Sequence, residues 1–173
     1  VTGSSLPLLR KCQWWARDEV VAPPQPPPND AMLVGTEVHA AIEDTLRGVD
    51  EPRRLSDEGT ELFAEWRKWW QSSPLNQVGW QPEVAFAYNV ATDSARPVKT
   101  GSHRAYEVGP SEIPGTIDAL MLDDEYAIVV DWKTGSSFGN GPADAQDNWK
   151  LRLYALMVAR AHGLDTVHTH IVR

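Results

Sequence analysis

Only one cysteine, Cys12, occurs in the 173 residues. That excludes an internal disulfide and favours a reducing compartment, so a cytoplasmic location is expected. No apolar run approaches the ~20 residues that span a bilayer, and no membrane partner is expected. The opening residues VTGSSLPLLRKCQWW lack the order of a signal peptide, because the charge follows the apolar stretch instead of preceding it. The chain begins at Val1 rather than Met, so a trimmed start is expected. Positive charge is scarce: 16 Lys and Arg stand against 24 Asp and Glu, a net charge of −8. Nucleic-acid-binding domains are usually basic, and the balance runs against such a partner. It does not remove one, since acids gathered at a metal site count toward the sum and a local basic groove is lost in it. No internal repeat is present. The glycine-rich stretch 134–142, TGSSFGNGP, lacks the spacing of a phosphate-binding P-loop.

What is present is an ordinary globular composition, 42% hydrophobic and 23% charged, in a chain long enough for one domain with a real core. Eight tryptophans are many for this length. Core packing accounts for most of them; stacking on unpaired bases is the sharper alternative. Ser4 to Val20 reads as a helix, with Pro7 in its first turn. Residues 21–30, VAPPQPPPND, hold five prolines and form an extended connector. A second helix is expected from Thr36 as cap to Gly48 past its end, with Val38, Ile42 and Leu46 as its stripe. His39 and Glu43 lie together at the edge of that stripe, either as ligands or as a half-buried pair. Ser56 to Gln71 reads as a third helix with Leu62, Phe63, Trp66, Trp69 and Trp70 on its packing face. Glu83 to Val90 alternates as a strand, and Ala105 to Val108 reads as a short returning one. Asp144 to His162 is expected to be a buried helix closed by Gly163, and Thr166 to Val172 a last strand. This order predicts a mixed sheet flanked by helices.

The centre of the chain is Gly115 to Lys133, two strands around the polar turn Asp123-Asp124-Glu125. Thr116, Asp118 and Leu120 share one face of the first strand; Val129, Asp131 and Lys133 share one face of the second. A turn centred between Asp124 and Glu125 sets Asp118 opposite Asp131, with Cβ atoms about 4.5–5.5 Å apart. Like charges so placed destabilise a hairpin unless a divalent cation lies between them. Lys133, on the same face, reaches whatever that cation binds.

Five segments, in order, resemble motifs of the PD-(D/E)XK nuclease superfamily, and most closely its RecB-like branch with the CRISPR-associated and phage exonucleases. SSLPLLRKCQWW resembles the N-terminal helix motif, GTEVHAAIE the GTxxHxxxE helix, GTIDALM the GxxD strand, VVDWKTG the DxKTG strand, and NWKLRLYALMVARAHG the QxxxY helix. The resemblance runs from about Ser4 to the end. It implies an α/β, restriction-endonuclease-like core forming a single nuclease domain over residues 1–173.

The resemblance also implies roles. Asp118, Asp131, His39 and the backbone carbonyl of Trp132 would hold the metal. Lys133 would orient water or stabilise charge on the phosphate, and Tyr154, Glu43 and Glu83 would assist. Such an oxygen-rich site suits Mg²⁺ or Mn²⁺, with the imidazole tilting it toward Mn²⁺. The activity implied is metal-dependent hydrolysis of DNA phosphodiesters, exonuclease-like, in repair, recombination, phage or CRISPR-related processing. The partners implied are single-stranded DNA or duplex ends, with a protein partner in a larger complex. Arg10, Lys11, Arg152 and exposed tryptophans would build the DNA groove.

Two departures stand out. Lys150 occupies the place of the motif glutamine, with Gln146 one turn earlier; the lysine would either bind phosphate or pair with Asp118 or Asp131 and compete with the metal. Cys12 has no companions, which excludes the iron–sulfur cluster that some relatives carry. A nuclease-fold protein that binds DNA or a partner without cutting is the alternative, and a small metal-binding domain with no nucleic-acid role the third reading.

Overall fold

The computed structural model describes residues 27–49, 53–99, 105–133 and 145–172. The expected N-terminal helix at Ser4 to Val20, with Arg10, Lys11 and Cys12, lies outside the described residues, as do most of the proline-rich connector and the glycine-rich stretch. Helix α1 spans Asp30–Leu46 and α2 spans Asp57–Ser72. Strands follow at β1 Gln81–Asn89, β2 Ser94–Pro97, β3 Glu112–Leu122 and β4 Tyr126–Trp132. A short 3-10 turn at Ala145–Asp147 leads into α3, Trp149–His162, and β5, Thr166–Val172, closes the order.

The strands form one sheet in the order β2-β1-β3-β4-β5, antiparallel except where β5 runs parallel to β4. That parallel pair is joined through α3, the crossover such pairs require. The helices cover both faces, so the mixed sheet flanked by helices is the restriction-endonuclease-like arrangement expected. Among the described residues, no helix is long and apolar enough to cross a membrane.

Each helix is delimited by local chemistry. Asn29 caps α1, its Oδ1 accepting from the Met32 amide at 2.9 Å. The helix therefore begins about two turns earlier than a Thr36 cap suggests, and it takes up the last residue assigned to the connector. Thr36 is inside the helix, its hydroxyl donating to the Met32 carbonyl at 2.9 Å. Ser56 caps α2, and Glu37 of α1 accepts from both its amide and its hydroxyl at 3.0 and 2.8 Å, tying the two helices together. Asn148 caps α3, so that helix starts at Trp149 and not at Asp144. Gly163 ends it at φ 68°, where a side chain would be strained.

Two cores flank the sheet. Under α1 and α2, Val38 and Ile42 pack with Trp66, Trp70, Trp80 and Trp132. Trp66 stacks on Trp70 at 5.5 Å and meets Trp132 edge-on at 5.9 Å. Such pairs add about 0.5–1.5 kcal/mol beyond burial. They pack around the Trp132 ring at the end of β4. Under α3, Leu151, Leu153, Tyr154, Met157 and Val158 pack on Ile117, Leu120 and Val129. Trp149 is 42% exposed and is not part of that core.

The strand returning along β1 is β2 and not Ala105 to Val108, where Tyr106 makes only an isolated bridge. Arg96 on β2 reaches Glu112 at the start of β3 through two bonds of 2.8 Å. With the Gly109 amide also donating, the guanidinium holds the Glu112 carboxyl down to about 2. A depressed carboxyl stabilises above its unfolded value of about 4.3 and loses that effect as pH falls toward its folded value. Glu112→Gln should therefore melt below the wild type at neutral pH, with the gap closing between about pH 4.5 and pH 2. Melting curves across that range decide it; a gap independent of pH would assign the effect to packing.

Candidate active site

The central hairpin turns at Asp124-Glu125, with Ala119 opposite Val130 and Leu120 opposite Val129. One step beyond, Asp118 and Asp131 stand at facing positions on the side of the sheet covered by α3. Both are buried, at 5% and 1% exposure. The Trp132 amide donates to Asp118 Oδ2 at 2.9 Å, and His39 of α1 brings its Nδ1 to 3.9 Å from the same oxygen.

Asp131 is held by two ammonium groups. Lys150, in the first turn of α3, donates to Oδ1 at 2.7 Å, and Lys133 pairs with Oδ2. That second oxygen is buried without a well-formed hydrogen bond among the described residues. Of the two fates sequence left open for Lys150, the structure has the pairing with an aspartate. Gln146 does not replace the motif glutamine: it is exposed in the 3-10 turn, and its backbone carbonyl accepts from Arg152 at 2.7 Å.

Charge and burial set the protonation states. Burial raises the Asp118 carboxyl above the usual range and the Asp131 charge raises it further, against Lys150, His39 and the Trp132 amide. Burial pushes Asp131 up too, but Lys150 and Lys133 outweigh it and hold the carboxyl low. Burial lowers His39, more than Asp118 raises it, so the imidazole is neutral at pH 7. Lys150 is raised: burial opposes its charge, and Tyr154 and the two carboxylates more than restore it. Burial pushes Tyr154 up to about 12, so it stays a neutral phenol.

Beside these groups opens a cleft of about 800 Å³ whose walls include Thr36, His39, Glu43, Glu83, Trp132 and Lys133. Glu43 is ion-paired with Arg47 at 2.6 Å, one turn from His39, so it lines the cleft without joining the aspartates. Glu83 lies on β1 between the Pro82–Ala119 and Val84–Ile117 pairs, at φ 52°. A non-glycine residue held there costs about 1–3 kcal/mol, and such strain gathers at functional sites. Arg152 lies over the Trp149 ring at 5.1 Å, an exposed cation–aromatic pair on α3.

Sequence reasoning missed one neighbour. The Tyr106 hydroxyl shares a 2.7 Å hydrogen bond with Thr116, which is on the Asp118 face of β3. Its isolated bridge leaves no periodic signal that would have pointed to it.

The donors suit a hard divalent cation: two carboxylates and a neutral imidazole. Among the described residues, however, no three His, Cys, Asp or Glu side chains are drawn together closely enough to hold a metal ion as they stand. The positive charge on Asp131 is supplied by the two lysines.

The family model of the PD-(D/E)XK nuclease superfamily matches the chain over residues 2–170. No curated protein and no solved structure matches the chain.

Proposed function

Because the chain belongs to the PD-(D/E)XK nuclease superfamily, we propose that it is a divalent-metal-dependent deoxyribonuclease of the RecB-like branch, acting on single strands or duplex ends. The observation that carries this reading is the pair of buried aspartates at facing positions, with Lys133 on one of them at the mouth of the cleft. Asp118, Asp131, His39 and the Trp132 carbonyl would hold Mg²⁺ or Mn²⁺. Bound there, the cation supplies a Lewis acid for the phosphodiester and lowers the pKa of a water.

The chain's own groups account for the rest. Lys133 is 34% exposed and can swing from Asp131 to a substrate oxygen, orienting the attacking water or countering charge on the phosphate. His39 offers its ring nitrogen without a proton to lose. Tyr154, as a buried phenol, positions Lys150, whose ammonium sits 5.3 Å from its ring centre. The Arg152–Trp149 pair offers a charge and a stacking surface to the strand. Glu43 and Glu83 shape the wall of the cleft.

The test is labelled single- and double-stranded DNA with Mg²⁺, Mn²⁺ or chelator. Cleavage should require the metal and stop with chelator, and a closed circular strand should resist if attack starts at ends. Asp118→Ala should lose Mn²⁺ binding and cleavage together. Lys133→Ala should keep Mn²⁺ binding and lose most turnover, by about 10²–10³-fold if it acts on transition-state charge. Undiminished cutting by Lys133→Ala would overturn its role. The second reading, a nuclease fold that binds DNA or a partner without cutting, is favoured by one contact, the Lys150 ammonium on Asp131. DNA binding with no cleavage under any metal would select it.

A further inference from the structure

The ammonium of Lys150 sits where a cation bound to Asp131 would place its charge. It lies 2.7 Å from Oδ1, is 17% exposed, and reaches the carboxylate from a different element, the first turn of α3. A lysine in that turn is at the wrong end of the helix dipole for a positive charge. Its amide is already used by the Asn148 cap, at 3.1 Å. Its placement is therefore explained by the carboxylates it faces and not by the helix it belongs to. Lys133 and Lys150 both place their charge on Asp131, beside Asp118, with His39 neutral.

We infer that Lys150 is a built-in counterion of the metal site, one that a divalent cation must displace from Asp131 and that a backbone phosphate of the DNA draws away. The inference rests on the metal-dependent nuclease reading and adds its regulation: metal and lysine compete for one carboxylate, and substrate settles the competition. Without DNA, loading the cation requires breaking the Lys150–Asp131 contact, and the freed ammonium stays close enough to repel the incoming charge. With DNA, the four-carbon stem lets the ammonium turn toward a phosphate oxygen while its base stays on α3. Metal and DNA then bind cooperatively, each tightening the other by the same factor. A glutamine at this position could not produce that coupling, because it carries no charge to displace.

The test is calorimetric titration of Mn²⁺ into the wild type, Lys150→Gln, Lys150→Met and Lys150→Arg, with Asp131→Ala as the blank and thermal melts confirming that each is folded. Methionine keeps the apolar stem against the Tyr154 ring should glutamine fail to fold; arginine keeps the charge. Both neutral variants should bind Mn²⁺ about tenfold more tightly than the wild type, and arginine should not, as expected for removal of one repelling charge at close range. A saturating nuclease-resistant single-stranded oligonucleotide should tighten Mn²⁺ binding in the wild type more than in Lys150→Gln. Equal or weaker Mn²⁺ binding by the neutral variants overturns the competition while leaving the metal site standing. An equal effect of the oligonucleotide on wild type and Lys150→Gln overturns the part given to phosphate. No Mn²⁺ binding by any variant overturns the metal reading and this inference with it.

Discussion

Asp131→Asn should be inactive on DNA, unable to bind Mn²⁺, and measurably less stable than the wild type. The three losses have one origin. Asp131 is 1% exposed and carries the negative charge that both Lys133 and Lys150 share. Asparagine keeps the shape and removes the charge, leaving two ammonium groups without their partner. Removing one member of a fully buried pair costs about 3–5 kcal/mol. Here the lysines keep 34% and 17% exposure, so water recovers part of that loss, and about 2 kcal/mol is expected. Cleavage should fall by about 10³-fold or more, since the substitution removes a metal ligand and the anchor of Lys133 together. Asp118→Asn provides the contrast. Burial already raises that carboxyl, and its closest contacts are the Trp132 amide and the neutral His39 imidazole. It should lose metal and activity as fully while costing less stability. Chemical denaturation of both variants beside calorimetry and a cleavage assay gives the comparison. Equal destabilisation would show that the lysines contribute little to holding Asp131.

The hairpin was legible because its signals are local. Alternation over Thr116 to Leu120 and Val129 to Lys133, with a polar turn between, sets face and register in one step, and the register matches. The α3 phase was legible too, since Lys150 and Tyr154 are one turn apart and share a side. What the phase could not say is which way a four-carbon stem turns, and the buried negative charge of Asp131 decides that. The start of α1 was misread because Gly35-Thr36 resembles a cap; Asn29 caps instead, and the glycine is carried inside a helix whose Val34 is buried in the core. The short strand pairing with β1 was misplaced because Ser94 to Pro97 has no hydrophobic alternation of its own and is held by tertiary hydrogen bonds. Glu83 carried no mark of its left-handed backbone, which a glycine or asparagine would have suggested.

Gly115→Ala should destabilise the protein by about 3 kcal/mol, the upper part of the range for overpacking a filled core, and should disturb the site from a distance. A Cβ at Gly115 would run into the Tyr154 ring, overlapping its edge carbon. That ring is 1% exposed and packed within the α3 core, so it has no open space to swing into. The glycine is therefore required by close approach of helix and sheet, since no positive φ is involved. The consequence reaches function through Lys150, whose ammonium lies over the same ring while holding Asp131. If the ring moves to admit a methyl group, the lysine moves with it, and Mn²⁺ affinity should change in Gly115→Ala although no ligand was touched. Tyr154→Leu removes the colliding ring and should cost about 2–4 kcal/mol alone as a core truncation. Combined with Gly115→Ala it should cost less than the sum by about 1 kcal/mol or more, because the alanine methyl then fills part of the space the ring vacates. Denaturant midpoints for the two single variants and the double variant measure the coupling. Strict additivity would mean that α3 shifts away from β3 as a unit, and the collision would then be relieved by the backbone and not by the ring.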